Sequence, residues 1–177
     1  GLKPKNPVLV VFSLVFYAWG EPFYVLLLLA SAAMNYFAGL LMGGCRRRGK
    51  SLKPVLVGAV ALNLLALGVF KYAALAVTTL NELSGLALPV PQIALPIGIP
   101  FYTFQAMSYV VDVYRDEVGV QRSYGKFLLY ISLFPQLIAG PIVRYSDIEA
   151  QLEDRHASRE DMVYGLIRFA IGLGKEV

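Results

Sequence analysis

The sequence has very few of the residues from which soluble proteins build disulfides and metal sites. Its 177 residues include one cysteine, Cys45, and one histidine, His156. A single cysteine excludes an internal disulfide and a cysteine-based zinc cluster. GxSxG, Walker, HExxH and CxxC motifs are also absent, so the residues alone indicate no reaction centre.

His156 is the obvious candidate for a general base, because histidine titrates near neutral pH. It lies in a charged stretch beside Asp154 and Arg155, between two predicted surface helices. This setting is typical of a solvated loop histidine, and we favour that interpretation over a catalytic one.

Charged residues are scarce and apolar residues abundant, which indicates a membrane protein. The chain is 16% charged and 57% hydrophobic, with a mean hydropathy of +0.60. An average soluble domain has about 25% charged and about 45–50% apolar residues. Five of the 16 basic residues lie in Arg46–Lys53, between apolar blocks. By the positive-inside rule this loop is predicted to be cytoplasmic. No groove-reading element indicates nucleic-acid binding.

The apolar residues occur in blocks that predict helices. Val8–Trp19 has only 12 residues, too few to cross a membrane upright when about 20 are needed. A turn at residues 20–22 follows, and Phe23–Met42 then supplies a full span. Val55–Tyr72 predicts the next span. Residues 73–94 predict a short interfacial helix and an extended stretch on the outer side.

Residues 95–145 combine apolar length with polar side chains, and Phe101–Tyr114 is predicted to be helical. On or near one face of this helix lie Tyr102, Gln105, Ser108, Tyr109, Asp112 and Arg115. Polar groups at membrane depth indicate a functional site, so this face is predicted to line a wet cavity. The alternative is a polar seam against a neighbouring helix, in which Asp112 and Arg115 pair.

Phe127–Val143 is long enough to extend about 25 Å as a helix, but its second half contains helix breakers. Pro135 and the pair Gly140-Pro141 interrupt it, and basic residues flank it on both sides. Positive charge at both ends favours a re-entrant segment that returns to the cytoplasm over a true crossing.

Two capping boxes follow, Ser146 with Glu149 and Ser158 with Asp161. They predict helices near residues 147–155 and 159–173, on the cytoplasmic surface or entering another span. The whole pattern predicts an all-α fold class. Within this class it predicts a polytopic integral membrane protein with broken or re-entrant helices and cytoplasmic surface helices.

Several runs of the sequence together resemble the membrane-bound O-acyltransferase family. The specific ones are LPIGIPFYTFQ followed by YVVDVYR, and PQLIAGPIVRY. Weaker apolar runs, such as FYAWGEPFYVLLLLASAAMNYFAGLL, precede them at similar spacings. The closest branch is that of the bacterial alginate O-acetyltransferases, and the D-alanyl transferases of teichoic acid are more distant.

This resemblance implies a multi-pass enzyme of the bacterial cytoplasmic (inner) membrane with a tunnel through its fold. It implies an acyl donor, acetyl-CoA or another cytoplasmic thioester, and no bound cofactor or metal. The other expected partners are the lipid bilayer and a polysaccharide or an acyl-carrying protein. The expected reaction is O-acetyl transfer to an extracytoplasmic polysaccharide, with a histidine as general base.

The resemblance also implies which residues help to form the tunnel: Tyr102, Gln105, Tyr109, Asp112, Arg115, Gln136, Gly140, Pro141 and Arg144. Arg144 and Arg115 could bind the phosphates of the donor, although Arg144 could instead pair only with Asp147 or with a helix end. The essential family histidine is expected beyond Val177, and the first membrane segment of the family before Gly1. Residues 1–177 are therefore expected to be the N-terminal part of one membrane domain, inactive alone.

Two other classes of function stay open from the residues. A transporter or export channel also uses broken helices and polar groups near the middle of the membrane. A structural membrane scaffold would need the polar face of residues 105–115 only as a seam between helices.

Overall fold

The computed structural model describes residues 5–85, 89, 98–133, 137, 143–153 and 158–176. These residues form seven α-helices and contain no β-strand, which confirms the predicted all-α class. The helices are α1 (Lys5–Gly20), α2 (Val25–Arg47), α3 (Lys53–Ser84), α4 (Ile99–Arg115), α5 (Tyr124–Ser132), α6 (Tyr145–Glu153) and α7 (Arg159–Glu176).

Helices α2 and α3 are long and apolar enough to cross a membrane, with 23 and 32 residues. A crossing needs about 20 residues. Most of α3 is exposed, and its exposed side chains include Leu62, Leu65 and Leu75. An exposed surface of this kind suits lipid, and it supports the prediction of a membrane protein. Helix α1 is apolar but shorter, as predicted.

Helix α3 is longer than predicted. The prediction of a span ending at Tyr72 and a separate interfacial helix was wrong, because the helix continues without a break to Ser84. No glycine or proline interrupts residues 73–84, and the polar side chains there are compatible with a helix. Thr78 donates to the carbonyl of Ala74 one turn earlier. The helix ends where Gly85 adopts a φ of 68°.

Helix α4 packs against α2, α3, α5 and α6, so its polar face lies inside the helical assembly. Its span confirms the predicted helix at residues 101–114. Gly98, with a φ of 89°, precedes it, and Pro100 stands in its first turn. A Cβ at Gly98 would lie 2.8 Å from the carbonyl oxygen of Leu137, so this approach requires glycine.

Helix α5 ends at Ser132, and Leu133 leaves the helix with a ψ of 113°. This end lies before Pro135, one of the predicted helix breakers. The predicted site residues Gln136, Gly140 and Pro141 lie outside the described residues. The re-entrant path through them, and the polytopic topology, stay predictions.

One of the two predicted capping boxes forms. The Ser158 hydroxyl accepts from the Asp161 N–H at 3.1 Å, and the Asp161 carboxylate accepts from the Ser158 N–H at 2.9 Å. These bonds stabilise the charged carboxylate and lower the pKa of Asp161. The prediction of a capping box at Ser146 was wrong. Helix α6 begins one residue earlier, at Tyr145, so Ser146 lies within its first turn and is not the N-cap.

A reciprocal amide pair joins α2 to α3. The Asn35 Nδ2 donates to the Asn63 Oδ1 at 3.0 Å, and the Asn63 Nδ2 donates to the Asn35 Oδ1 at 2.8 Å. Each amide also donates to a carbonyl one turn earlier in its own helix, that of Ser31 or Ala59. Both side chains are buried, so every amide hydrogen of the pair has a partner.

We expect Asn63→Leu in the full-length protein to lower the free energy of unfolding by about 1–3 kcal/mol, because it leaves the buried Asn35 amide unsatisfied. The double variant with Asn35→Leu should recover part of this loss, since no orphaned amide remains. Unfolding in mixed detergent micelles measures both. Additive losses in the double variant would contradict the pairing.

Candidate functional site

Gln105 and Ser108 of α4 lie in a hydrogen-bonded seam with α5. The Gln105 Nε2 donates to the backbone carbonyl of Tyr130 at 3.0 Å. The Tyr130 hydroxyl lies 3.2 Å from the Gln105 carbonyl, 3.3 Å from the Ser108 hydroxyl and 2.9 Å from the Val143 carbonyl. The polar groups of Gln105 and Ser108 therefore form their hydrogen bonds within the protein. This agrees with the alternative prediction of a polar seam between neighbouring helices.

Tyr109 belongs to a second network, which joins α4 to α6 through the loop before α5. Its hydroxyl accepts from the backbone N–H of Gln121 at 3.1 Å. The Gln121 Nε2 donates to the Tyr145 hydroxyl at 2.8 Å, and its Oε1 accepts from the Ser123 N–H at 2.9 Å. Gln121 thereby fixes the loop and two tyrosines at once.

An aromatic cluster, consisting of Tyr109, Phe127, Tyr130 and Tyr145, surrounds these hydrogen bonds. Ring centroids lie 4.7 Å apart for Tyr109 and Phe127, 4.9 Å for Tyr109 and Tyr145, and 5.2 Å for Tyr130 and Tyr145. Tilted and edge-to-face pairs at these separations stabilise packing beyond area burial. The sequence analysis did not single out Gln121, Tyr130 and Tyr145. For Tyr130, the aromatic spacing in YGKFLLY, residues 124–130, was a signal of packing.

Helix α2 approaches the aromatic cluster at Gly39. A Cβ placed there would lie 2.6 Å from the Tyr109 hydroxyl oxygen and 2.9 Å from its Cε1. Tyr109 is fully buried and is held by Gln121 and its ring contacts, so it has little freedom to move. Glycine is thus required for α2 and α4 to pack at this distance.

The charged end of α4, which we define as Asp112 and Arg115 of α4 together with Arg144 just before α6, is not closed by such a network among the described residues. Asp112 is 4% exposed, and its Oδ2 has no hydrogen-bond partner among the described residues. Burial is the largest influence on its carboxyl and disfavours the charged form, as do the charges of Glu117 and Asp147, whereas those of Arg144 and Arg115 favour it. A buried carboxylate oxygen without a partner is costly, which is typical of functional positions.

The two ion pairs that we considered as structural alternatives do not form in the described part of the chain. Arg115 lies 3.4 Å from Glu117 through its Nε, rather than pairing with Asp112. Arg144 is exposed and makes no ion pair with Asp147 among the described residues. Both arginines are exposed, and the Arg115 Nε is engaged by Glu117.

Arg46 fixes the charged end of α4 against the end of α2. Its Nη2 donates to the carbonyl of Val113 at 2.8 Å, and its Nη1 lies 2.8 Å from the Asp116 Oδ1. A cation at these last carbonyls also complements the helix dipole. Because Arg46 opens the basic loop that is predicted to be cytoplasmic, the positive-inside rule predicts the cytoplasmic side for the charged end of α4 as well.

Tyr102 lies apart from the charged end, in the wall of a cavity of about 390 Å³ between α2, α3 and α4. The lining of this cavity is predominantly apolar, so it differs from the predicted wet passage. Among the described residues, no group of three or more His, Cys, Asp and Glu side chains could hold a metal ion.

The chain is similar over its whole length to bacterial O-acetyltransferases. It is 36% identical over 181 residues to the probable alginate O-acetylase AlgI of Pseudomonas aeruginosa, covering 100% of this chain and 35% of the relative. It is 37% identical over 177 residues to the same-named protein of Azotobacter vinelandii, covering 98% of this chain and 36% of the relative. No family model and no solved structure matches it.

A relative named for a different acceptor is similar to the chain as well. The chain is 31% identical over 205 residues to the peptidoglycan O-acetyltransferase of Helicobacter pylori, covering 98% of this chain and 39% of the relative. The chain thus spans between a third and two fifths of the length of these three relatives. The resemblance predicted from the sequence is confirmed.

Proposed function

Because this chain is similar over its whole length to the bacterial alginate O-acetylases, we propose that the whole protein is a membrane enzyme that transfers acetyl groups to polysaccharide hydroxyls. The observation that carries the proposal is the similarity across the entire chain to enzymes named for O-acetylation of two different polymers. A hydroxyl on a polysaccharide is the chemical feature common to both.

We propose acetyl-CoA, or another cytoplasmic acyl thioester, as the donor. Its phosphates would bind at the charged end of α4, where Arg115 and Arg144 are exposed. Arginine suits this role because its planar fork of N–H donors matches phosphate oxygens. Arg46 supports the assignment, since it holds this end of α4 beside the basic loop.

The reaction that we propose is attack of an acceptor hydroxyl oxygen on the acetyl carbonyl carbon. A C–O bond forms, the C–S bond breaks, and the proton of the hydroxyl passes to a base while the thiolate leaves. By the family resemblance, that base is a histidine. The residues described here bind and orient the donor, and the aromatic cluster keeps α4, α5 and α6 in register.

The test is acetylation by membrane vesicles that contain the full-length protein, with acetyl-CoA labelled on the acetyl group. We expect ester-linked label on the polysaccharide, released by mild base, and none in vesicles without the protein. Polysaccharide export without any ester-linked label would contradict an enzyme and favour a transporter.

A further inference from the structure

The basic loop between α2 and α3 concentrates positive charge without any negative charge of its own. Five basic residues lie in Arg46–Lys53, and the sequence has no aspartate or glutamate between Glu21 and Glu82. Arg46 is neutralised from elsewhere in the fold, because its Nη1 lies 2.8 Å from the Asp116 Oδ1. The remaining charge of the loop is carried by four other residues, which we call the loop cations: Arg47, Arg48, Lys50 and Lys53.

The loop cations are exposed, and none has a protein partner in the described part of the chain. Their side chains form no ion pair and no hydrogen bond with any residue that the structure describes. A single exposed cation needs no explanation, but four of them within residues 47–53 repel one another unless anions are nearby. The loop therefore has the character of an anion-binding surface.

The backbone of the loop holds these charges together. Gly49 has a φ of 63°, and its N–H donates to the Arg46 carbonyl at 3.1 Å. The N–H of Lys50 donates to the Cys45 carbonyl at 2.9 Å. These two bonds form the Schellman motif that ends many helices. Because only residues 48–52 separate α2 from α3, the loop cations stay close to the ends of these helices.

The lengths of α2 and α3 indicate which anions the loop cations meet. Helix α2 has 23 residues and extends about 35 Å, whereas the hydrocarbon layer of a bilayer is about 30 Å thick. Helix α3 is longer, with 32 residues. If both helices cross a bilayer, the loop between them lies among the lipid headgroups, where phosphates are the nearest anions. We propose that the loop cations bind the headgroup phosphates of anionic phospholipids.

A soluble phosphate, such as that of the acyl donor, is the other source of the same chemistry. The donor site proposed above uses Arg115 and Arg144, which lie outside the basic loop. The loop cations instead stand at the ends of both membrane helices, since α2 ends at Arg47 and α3 begins at Lys53. This arrangement suits headgroups that surround the helices better than one soluble molecule. The inference requires only that α2 and α3 cross a bilayer, and it does not depend on acetyl transfer.

The experiment measures binding of fluorescent phosphatidylglycerol and fluorescent phosphatidylcholine to the full-length protein in a neutral detergent. Phosphatidylglycerol should bind more tightly, because the phosphate of phosphatidylcholine is already neutralised by its own choline. The double variant Arg47→Gln with Arg48→Gln should weaken binding of phosphatidylglycerol about 10–30-fold. Lys50→Gln with Lys53→Gln should have a similar effect, and neither double variant should change binding of phosphatidylcholine.

The matched control is Arg159→Gln with Arg168→Gln, which removes two exposed arginines from α7. It should leave binding of phosphatidylglycerol unchanged. Equal weakening by the control and by the loop variants would overturn the proposal, because net charge alone would then explain the effect. Acetyl-CoA and inorganic phosphate should not displace the lipid. Displacement by either would also overturn the proposal, because the loop would then be a site for soluble phosphates.

Discussion

Asp112→Asn in the full-length protein is expected to reduce acetyl transfer by about a hundredfold, the loss that a small misplacement of reacting groups can cause. The substitution keeps the size of the side chain but removes its charge and turns one oxygen into a donor. Asp112 is almost fully buried, and one of its oxygens is unpartnered beside two arginines. We propose that this carboxylate contributes to the electrostatic surroundings in which Arg115 and Arg144 bind an anionic donor, although it forms no ion pair with either arginine.

Asp147→Asn is the matched control, because Asp147 is an exposed carboxylate in the same electrostatic surroundings. It should retain near-normal acetyl transfer at equal membrane insertion. Arg144→Ala should raise the KM for acetyl-CoA more than it lowers kcat, since it removes a contact that we propose for donor binding. Normal turnover in both Asp112→Asn and Arg144→Ala would exclude these residues from the site.

Gly39→Val is expected to lower the free energy of unfolding by about 1–3 kcal/mol through overpacking against Tyr109. Even the first added carbon would lie 2.6 Å from the Tyr109 hydroxyl oxygen, and the tyrosine cannot withdraw without breaking its bond to Gln121. The expected gain in helix propensity on replacing glycine is less than about 1 kcal/mol, too small to offset this. Thermal unfolding of the solubilised full-length protein measures the loss.

Gly44→Val provides the control on the same helix. A Cβ at Gly44 would meet nothing within 4 Å, so this variant should be as stable as the wild type or slightly more stable. If both variants lost the same stability, the close approach of α2 to the aromatic cluster would not be the cause.

Local periodicity was sufficient to predict α4 and the burial of its polar face. Gln105 and Asp112 are seven residues apart, which places them on one side of a helix, and both are buried. The same pattern could not show whether this face lines a water-filled cavity or forms a polar contact with a neighbouring helix. That choice depends on Tyr130, a residue of another helix whose backbone carbonyl and hydroxyl satisfy Gln105 and Ser108.

Contacts between residues distant in the chain were not predictable in this way. Asn35 and Asn63 are 28 residues apart, and Arg46 and Val113 are 67 apart. Asn63 stood out as a polar residue in an apolar span, but its partner depends on how α2 and α3 align. Arg46 was interpreted only as part of a cytoplasmic charge cluster, whereas it also holds the end of α4.

The length of α3 shows a different limit. Asn81, Glu82 and Ser84 are polar, and polarity suggested that the membrane span stops before them. Polarity decides whether a residue enters lipid, however, and not whether the backbone stays helical. A helix that passes beyond the apolar region satisfies its backbone hydrogen bonds internally, so only Gly85 ends it.

The most direct test of the account is cysteine labelling at the charged end of α4. In a full-length protein without native cysteines, Cys45 included, Ser146→Cys places a thiol in the exposed first turn of α6, beside Arg144. We predict that a membrane-impermeant maleimide labels it from the cytoplasmic side. Acetyl-CoA should slow this labelling but should not slow labelling of Glu160→Cys on α7. Labelling only from the outer side, or equal effects of acetyl-CoA at the two positions, would contradict a donor site at this end of α4.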